Sequence, residues 1–197
     1  MSEFNLVAKT GFGLDQAVHE AWQDFSVSEL ANLAVCWISC SSADRAGLDK
    51  AWQKLTGDEL PAKGRFSDCK AGKSEISIFD AGAGQWFVTG AEPAALGSVG
   101  DAACITGQTG GWIAIRLEGS KCLTVLEKLC TIDLHPSVFS NGCCARTPFE
   151  GMGALLACDD AAAGKYRILL QRSSSRSFLD HVRHAAQSSC AALPAAG

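Results

Sequence analysis

Two places in the chain set side chains of catalytic type next to one another. Cys143 and Cys144 are adjacent, and a thiol becomes a nucleophile once a neighbouring base or cation favours its thiolate. Asp180 and His181 are adjacent too, with His184 three positions on, a spacing that brings both imidazoles to one side of a helix. Neither place is complete by itself. A nucleophilic cysteine needs a histidine partner and an electropositive setting, and a strand crossing the core accounts for Cys143 and Cys144 as simply. A solvated helix end accounts for the two histidines better than a ligand pair does.

Metal and phosphate chemistry lack their usual spacings. The cysteines contain no CxxC pair, and neither Cys36 with Cys40 nor Cys143 with Cys144 is matched by a second pair at zinc-site spacing. The glycines of GFG at 11–13 and of GAG at 82–84 lack the remainder of a dinucleotide or P-loop fingerprint. No catalytic residue, cofactor or metal is therefore assigned to this chain. Two polar stretches remain. IDLHPSVF at 132–139 carries Asp133, His135 and Pro136 in an otherwise apolar loop, and QRSSSRSF at 171–178 sets Arg172 and Arg176 beside the free NH groups of a helix start. The second stretch could bind an anion or a partner's carboxylate. With Ser173 or Ser174 capping the helix, its arginines equally fit a solvated surface.

The elements that must carry these residues are legible around WIAIRLEGSKCLTVLEKLC at 112–130. Ile113, Ile115 and Leu117 alternate as a strand with one buried face, and Cys122, Val125, Leu126 and Leu129 recur at helical spacing after a Gly119–Ser120 turn in which Ser120 can cap the helix. Upstream, residues 33–40 read as a strand, 43–55 as a helix, 65–69 as a strand, 74–90 as a hairpin, and Pro93 as the first turn of a short helix. Downstream, 143–147 read as a strand, 153–158 with 166–170 as a hairpin, and 175–187 as a helix. Each half thus runs strand, helix, strand, hairpin, helix. Asp80, Gly84 and Trp86 match Asp160, Gly164 and Tyr166 at a constant offset of 160 − 80 = 80.

The expectation is an α+β fold of two pseudo-repeated β-α-β-β-β-α halves, with helices packed on mainly antiparallel sheets. The repeats span residues 33–100 and 111–187 of a single compact domain at 33–187. Residues 1–32 are expected as an N-terminal arm with a short helix around 15–25, and 188–197 as a flexible tail.

Composition narrows the function classes. Seventeen basic and twenty-one acidic residues give a net charge of −4 without a run of one sign, which is no footprint for nucleic acid. No apolar run reaches membrane-spanning length and the N-terminus lacks the pattern of a signal peptide, so the expected location is cytoplasmic. Ten cysteines in a chain of 197 residues fit reduced thiols in apolar elements, among them Cys36, Cys104, Cys122, Cys130 and Cys158. With 47% hydrophobic residues, the chain is more apolar than an exposed surface requires, which suggests a covered face.

TGQTGGWIAIRLEG, LEKLCTIDLHPSVF, CCARTPFEGMGALLAC and YRILLQRSSSRSFLDHV together resemble the gamma subunit of heterotetrameric sarcosine oxidase. QWFVTG near Trp86 supports the likeness, which fades before Leu33. More distantly, residues 108–129 are similar to the aminomethyltransferase fold of the glycine cleavage system. The resemblance implies an assembly with alpha, beta and delta subunits that oxidatively demethylates sarcosine to glycine and passes the one-carbon unit to tetrahydrofolate. It places FAD and FMN on beta, a dinucleotide (NAD) site and a folate-binding half on alpha, and zinc on delta. The adjacent cysteines depart from that pattern and leave the redox behaviour of Cys143 and Cys144 open.

The expectation is a non-catalytic subunit packed on the folate-binding half of alpha, with Asp133, Arg146, Arg172 and Arg176 as charged interface anchors. The alternatives are a stand-alone folate-binding or aminomethyltransferase-like protein, the equivalent subunit of a related N-methyl amino acid dehydrogenase, and a binding module with a pocket between its halves.

Overall fold

The computed structural model describes residues 9–190. In chain order its elements are β1 (His19–Trp22), β2 (Phe25–Glu29), β3 (Val35–Ser39), α1 (Arg45–Thr56), β4 (Phe66–Ala71), β5 (Ser74–Gly82) and β6 (Gln85–Thr89). A 3₁₀ turn (Pro93–Val99) leads to β7 (Cys104–Gly107), β8 (Trp112–Glu118), α2 (Cys122–Leu126), β9 (Cys144–Phe149), β10 (Met152–Asp160) and β11 (Lys165–Gln171). The last helix, α3 (Ser175–Ser189), is entered through a second 3₁₀ turn at Arg172–Ser174.

One sheet has the order β1-β2-β8-β11-β10-β9 and the other β4-β5-β6-β3-β7. Every pairing within them is antiparallel. The mainly antiparallel α+β architecture is the one the sequence implied.

Strand alternation sends side chains to both faces of each sheet, and both faces are covered. Ile113, Ile115 and Leu117 of β8 pack with Cys122, Val125 and Leu126 of α2 and with Phe178, Leu179 and Val182 of α3. On the other sheet Ile38, Trp86 and Val88 pack against Leu48 and Trp52 of α1 and Leu96 of the 3₁₀ turn. Between the sheets lie Val35, Phe79, Phe87, Ala114, Cys144, Leu155, Ala157 and Leu169. The layers run helix, sheet, sheet, helix. Along one side the sheets are also joined through the backbone, where Phe66 N donates to Gly142 O at 3.0 Å and Cys144 N donates to Gly64 O at 2.8 Å.

The repeat is real, and its register differs from the constant offset. Trp86 pairs with Asp80 in the first hairpin, whereas Tyr166 pairs with Cys158 in the second. Cys158, and not Asp160, is therefore the counterpart of Asp80. The cause is the loop: residues 83–84 close the first hairpin and residues 161–164 the second, so the two strands before the turns are shifted by two positions. Gly84 and Gly164 do match. Cys40 N donates to Gly84 O at 2.9 Å, and Gly119 N donates to Gly164 O at 3.1 Å. Each hairpin tip thus rests on the end of the first strand of its own half.

Several local expectations are corrected. Residues 15–25, read as a helix, contain β1 and a tight turn at Asp24 (φ 62°) into β2. Inward Phe25 and Val27 give β2 a strand's alternation, and pairing with β8 covers what would otherwise be an open sheet edge. Neither Ser120 nor Ser174 caps a helix through its side chain; Lys121 stands at the start of α2. Cys104 is exposed on β7 while Cys36, Cys122, Cys130 and Cys158 are buried. All ten cysteines are free thiols. The expected tail at 188–197 meets the end of α3, and residues 1–8 and 191–197 lie outside the described residues.

Two predictions follow from this packing. At Gly164 (φ +63°) a Cβ would stand 2.1 Å from Gly119 O, whereas at Gly110 (φ +84°) it would meet nothing within 4 Å. Gly110→Ala should cost about 1 kcal/mol, the left-handed backbone alone, and Gly164→Ala more than about 3 kcal/mol by urea denaturation. Equal costs would show that the hairpin tip does not bear on the strand.

Burial pushes the Cys36 and Cys158 thiols up to about 11 and Cys144 up to about 12, from 9.0. The unfolded chain then loses these protons first, so the stability present below pH 9.0 declines as pH rises toward 11 to 12. Urea midpoints should fall over that window, and Cys144→Ala should shallow the fall.

Candidate functional site

The matched ladders pair each inner-face position of one half with a position of the other. Trp37 and Phe87 face one another across β3 and β6; Arg116 and Arg167 do so across β8 and β11. Asp68, opposite Ser77, corresponds to Arg146, opposite Leu155. Each end of the sandwich is therefore a crossing of two strands from one half over two from the other, and the two crossings carry different chemistry.

The first is aromatic. Phe87 lies 4.6 Å from Trp37 and 4.4 Å from Trp112 between ring centroids, and the Arg146 guanidinium sits 5.6 Å from the Trp37 ring. These rings fill the space between the sheets.

The second is polar, and Arg167 is its centre. Its Nε donates to both Asp159 carboxylate oxygens at 2.8 and 3.1 Å, its Nη1 to Ser77 Oγ at 2.7 Å, and its Nη2 to Asp68 at 3.1 and 3.3 Å. The guanidinium also lies 4.7 Å from the Phe66 ring and 5.2 Å from the Phe79 ring. Its planar fork satisfies a carboxylate from its own sheet and a carboxylate and a hydroxyl from the facing one, and the rings cover its faces. Around it opens a cleft of about 730 Å³ lined by Phe66, Asp68, Lys70, Glu75, Arg116, Glu118, Asp159 and Lys165.

The sequence-nominated residues do not converge on this cleft. Asp133 is exposed in the loop after α2 and accepts from His135 N at 2.9 Å. Arg146 is exposed on β9 over Trp37. Arg172 Nη2 donates to Thr10 O at 2.8 Å and Arg176 Nε to Phe12 O at 3.1 Å. Ser175 Oγ donates to Gly11 O at 3.2 Å in the same place. The start of α3 thus holds the segment at 10–12, with backbone carbonyls where an anion was considered. Glu29 completes the attachment, accepting from Gly11 N at 2.6 Å and Val18 N at 3.1 Å.

His181 and His184 lie on α3, and both are exposed. Cys143 receives a bond from Arg65 Nη1 at 2.8 Å. No group of three metal-ligating side chains converges among the described residues.

No protein-family model and no curated protein matches the sequence. Solved structures do match by fold. A chain of the heterotetrameric sarcosine oxidase from Corynebacterium sp. U-96 superposes with a TM-score of 0.71 at 21% identity, over 89% of this chain and 90% of that one. Aminomethyltransferase T of the glycine cleavage system from Bartonella henselae superposes with a TM-score of 0.60 at 7% identity, over 82% of this chain and 46% of that one. At these identities the likeness is one of fold.

Arg167 makes the crossing testable. Its side chain is 14% exposed and that of Asp159 25%, but Asp68 is 64% exposed, so solvent screens the second pair. Arg167→Leu should cost roughly 2 to 4 kcal/mol by strandng Asp159. The double variant Arg167→Leu, Asp159→Leu should recover more than half of that loss in a denaturation cycle; no recovery would mean that the pair is not coupled.

Proposed function

We propose that this chain is the non-catalytic gamma subunit of a heterotetrameric sarcosine oxidase. In this reading the assembly oxidatively demethylates sarcosine to glycine in the cytoplasm and transfers the one-carbon unit to tetrahydrofolate. The flavins, NAD, folate and zinc sites belong to the alpha, beta and delta subunits. The observation that carries the reading is the fold likeness to a chain of such an oxidase over about nine-tenths of both partners. The sequence motifs at 106–119, 126–139, 143–158 and 166–182 support it independently.

The contribution of such a chain is mechanical. Cores on both sides of each sheet make a stiff body, and a stiff body can hold a neighbouring domain in its working shape at little entropic cost of its own. We place the contact on the folate-binding half of alpha. Val138, 58% exposed in the loop after α2, and Leu14, 46% exposed near the N-terminal strands, are large apolar side chains left to water. Burying them fits a permanent subunit contact. Asp133 shares the loop of Val138 and is the natural charged anchor beside it, with Arg146, Arg172 and Arg176 as further anchors.

Purification of the tagged chain from its native host, followed by the visible spectrum of what co-purifies, tests the proposal. The expected result is one large and one mid-sized partner with flavin absorption, and turnover of sarcosine. A lone, colourless chain would overturn it, and turnover of another N-methyl amino acid instead would move it to a related complex. Val138→Asp should weaken recovery of the partners by about tenfold or more while leaving the chain folded.

A further inference from the structure

The polar crossing holds one arginine more than its own carboxylates engage. Arg116 lies directly opposite Arg167 on β8 and β11, and opposite Ser28 on the β2 side. Like charges in that position repel. Arg167 is compensated by Asp159, Asp68 and two aromatic faces, while Arg116 makes no ion pair among the described residues. It lines the 730 Å³ cleft and also a second one of about 570 Å³ that adjoins it through Glu75, Ser77, Arg116 and Arg167.

The second cleft is different in character. Leu30, Leu33, Phe79 and Leu169 wall it, Thr89 adds a hydroxyl, and Glu75 lines it together with Glu29, whose carboxylate is held by Gly11 N and Val18 N. A guanidinium set between a polar opening and an apolar recess of this size matches an organic anion, with its carboxylate on the guanidinium fork and its body on the wall. The surrounding charge selects among anions. Asp68, Glu75, Glu118 and Asp159 line the first cleft, and they oppose a phosphate dianion more than a single carboxylate that Arg116 neutralises.

We propose that the open crossing of the two sheets is a binding site for a small organic monocarboxylate, its carboxylate on Arg116 and its apolar body against Leu30, Leu33, Phe79 and Leu169. The proposal rests on the clefts alone and stands apart from the subunit reading. The pseudo-repeat strengthens it, because the matching position in the other half is Trp37, whose ring fills the equivalent space. Replacing an aromatic filler by an unpaired cation leaves room and charge together.

Calorimetric titration of the full-length chain with benzoate, with benzyl alcohol as the neutral isostere, tests it. Benzoate should bind saturably, and benzyl alcohol at least about tenfold more weakly, the loss of one charge-assisted contact. Arg116→Gln should weaken benzoate by a similar factor. Leu33→Asp, at the recess wall, should weaken it too while leaving Arg116 in place. Unchanged urea midpoints would show that both variants remain folded. Absence of saturable benzoate binding to the parent chain, or equal binding by Arg116→Gln, would overturn the proposal.

Discussion

The space between the two sheets has to be filled from both halves of the chain at once, and that constraint shapes the molecule. Each sheet also turns a face toward helices, so a strand such as β8 is buried on both sides and must supply apolar residues at successive positions, as Ile113, Ala114 and Ile115 do. The magnitudes favour apolar filling as the main source of cohesion. Burial of one large apolar side chain contributes about 1.5 to 3 kcal/mol, and Phe79, Phe87, Leu155 and Leu169 all lie in this layer. The Arg167–Asp68 pair, with Asp68 largely in water, contributes less than any one of them. Arg167 acts instead on register. Its fork is met by groups at 68, 77 and 159 only when the sheets cross at one angle.

The duplication explains why the device occurs at one end only. A repeat that pairs with itself generates two crossings of the same backbone geometry, and the side chains at each are free to diverge. At one crossing Trp37, Phe87 and Trp112 pack ring against ring. At the other, arginines occupy the matching rows and the space stays open. What both halves retain is the hairpin tip resting on the preceding strand, with Gly84 and Gly164 accepting the same backbone bond. A side chain there would strike a carbonyl in either half, so the requirement is geometric and independent of what fills the crossings.

This division also marks what was legible in the sequence. The β8 alternation, the two hairpins and the apolar stripe of α3 are local patterns, and they appear where the pattern puts them. β1 and β7 are four residues each, too short for a period to declare itself, and β2 becomes a strand because β8 has an edge to cover. The matched glycines and aromatics of the repeat were readable, whereas Asp80 and Asp160 coincided in spacing without sharing a place in the ladder. Arg172 and Arg176 could be read as cations at a helix start, but the carbonyls they meet lie more than 160 positions away. Arg167 gave no signal at all, since its partners Asp68 and Ser77 become neighbours only when the halves fold together.

A shared fold does not transmit a function, since activity depends on particular side chains set on it. Burial pushes up the Cys36, Cys144 and Cys158 thiols, which suits packing and not nucleophilic attack. The Arg167 network holds its carboxylates in ion pairs, which suits alignment of the sheets and not proton transfer. Both features are structural at their own places in the fold. The polar crossing adds a different possibility, because an unpaired guanidinium beside an apolar recess is suited to holding a ligand without transforming it. A chain with such a cleft can couple its own stability to a small anion, since a ligand bound only by the folded chain stabilises it.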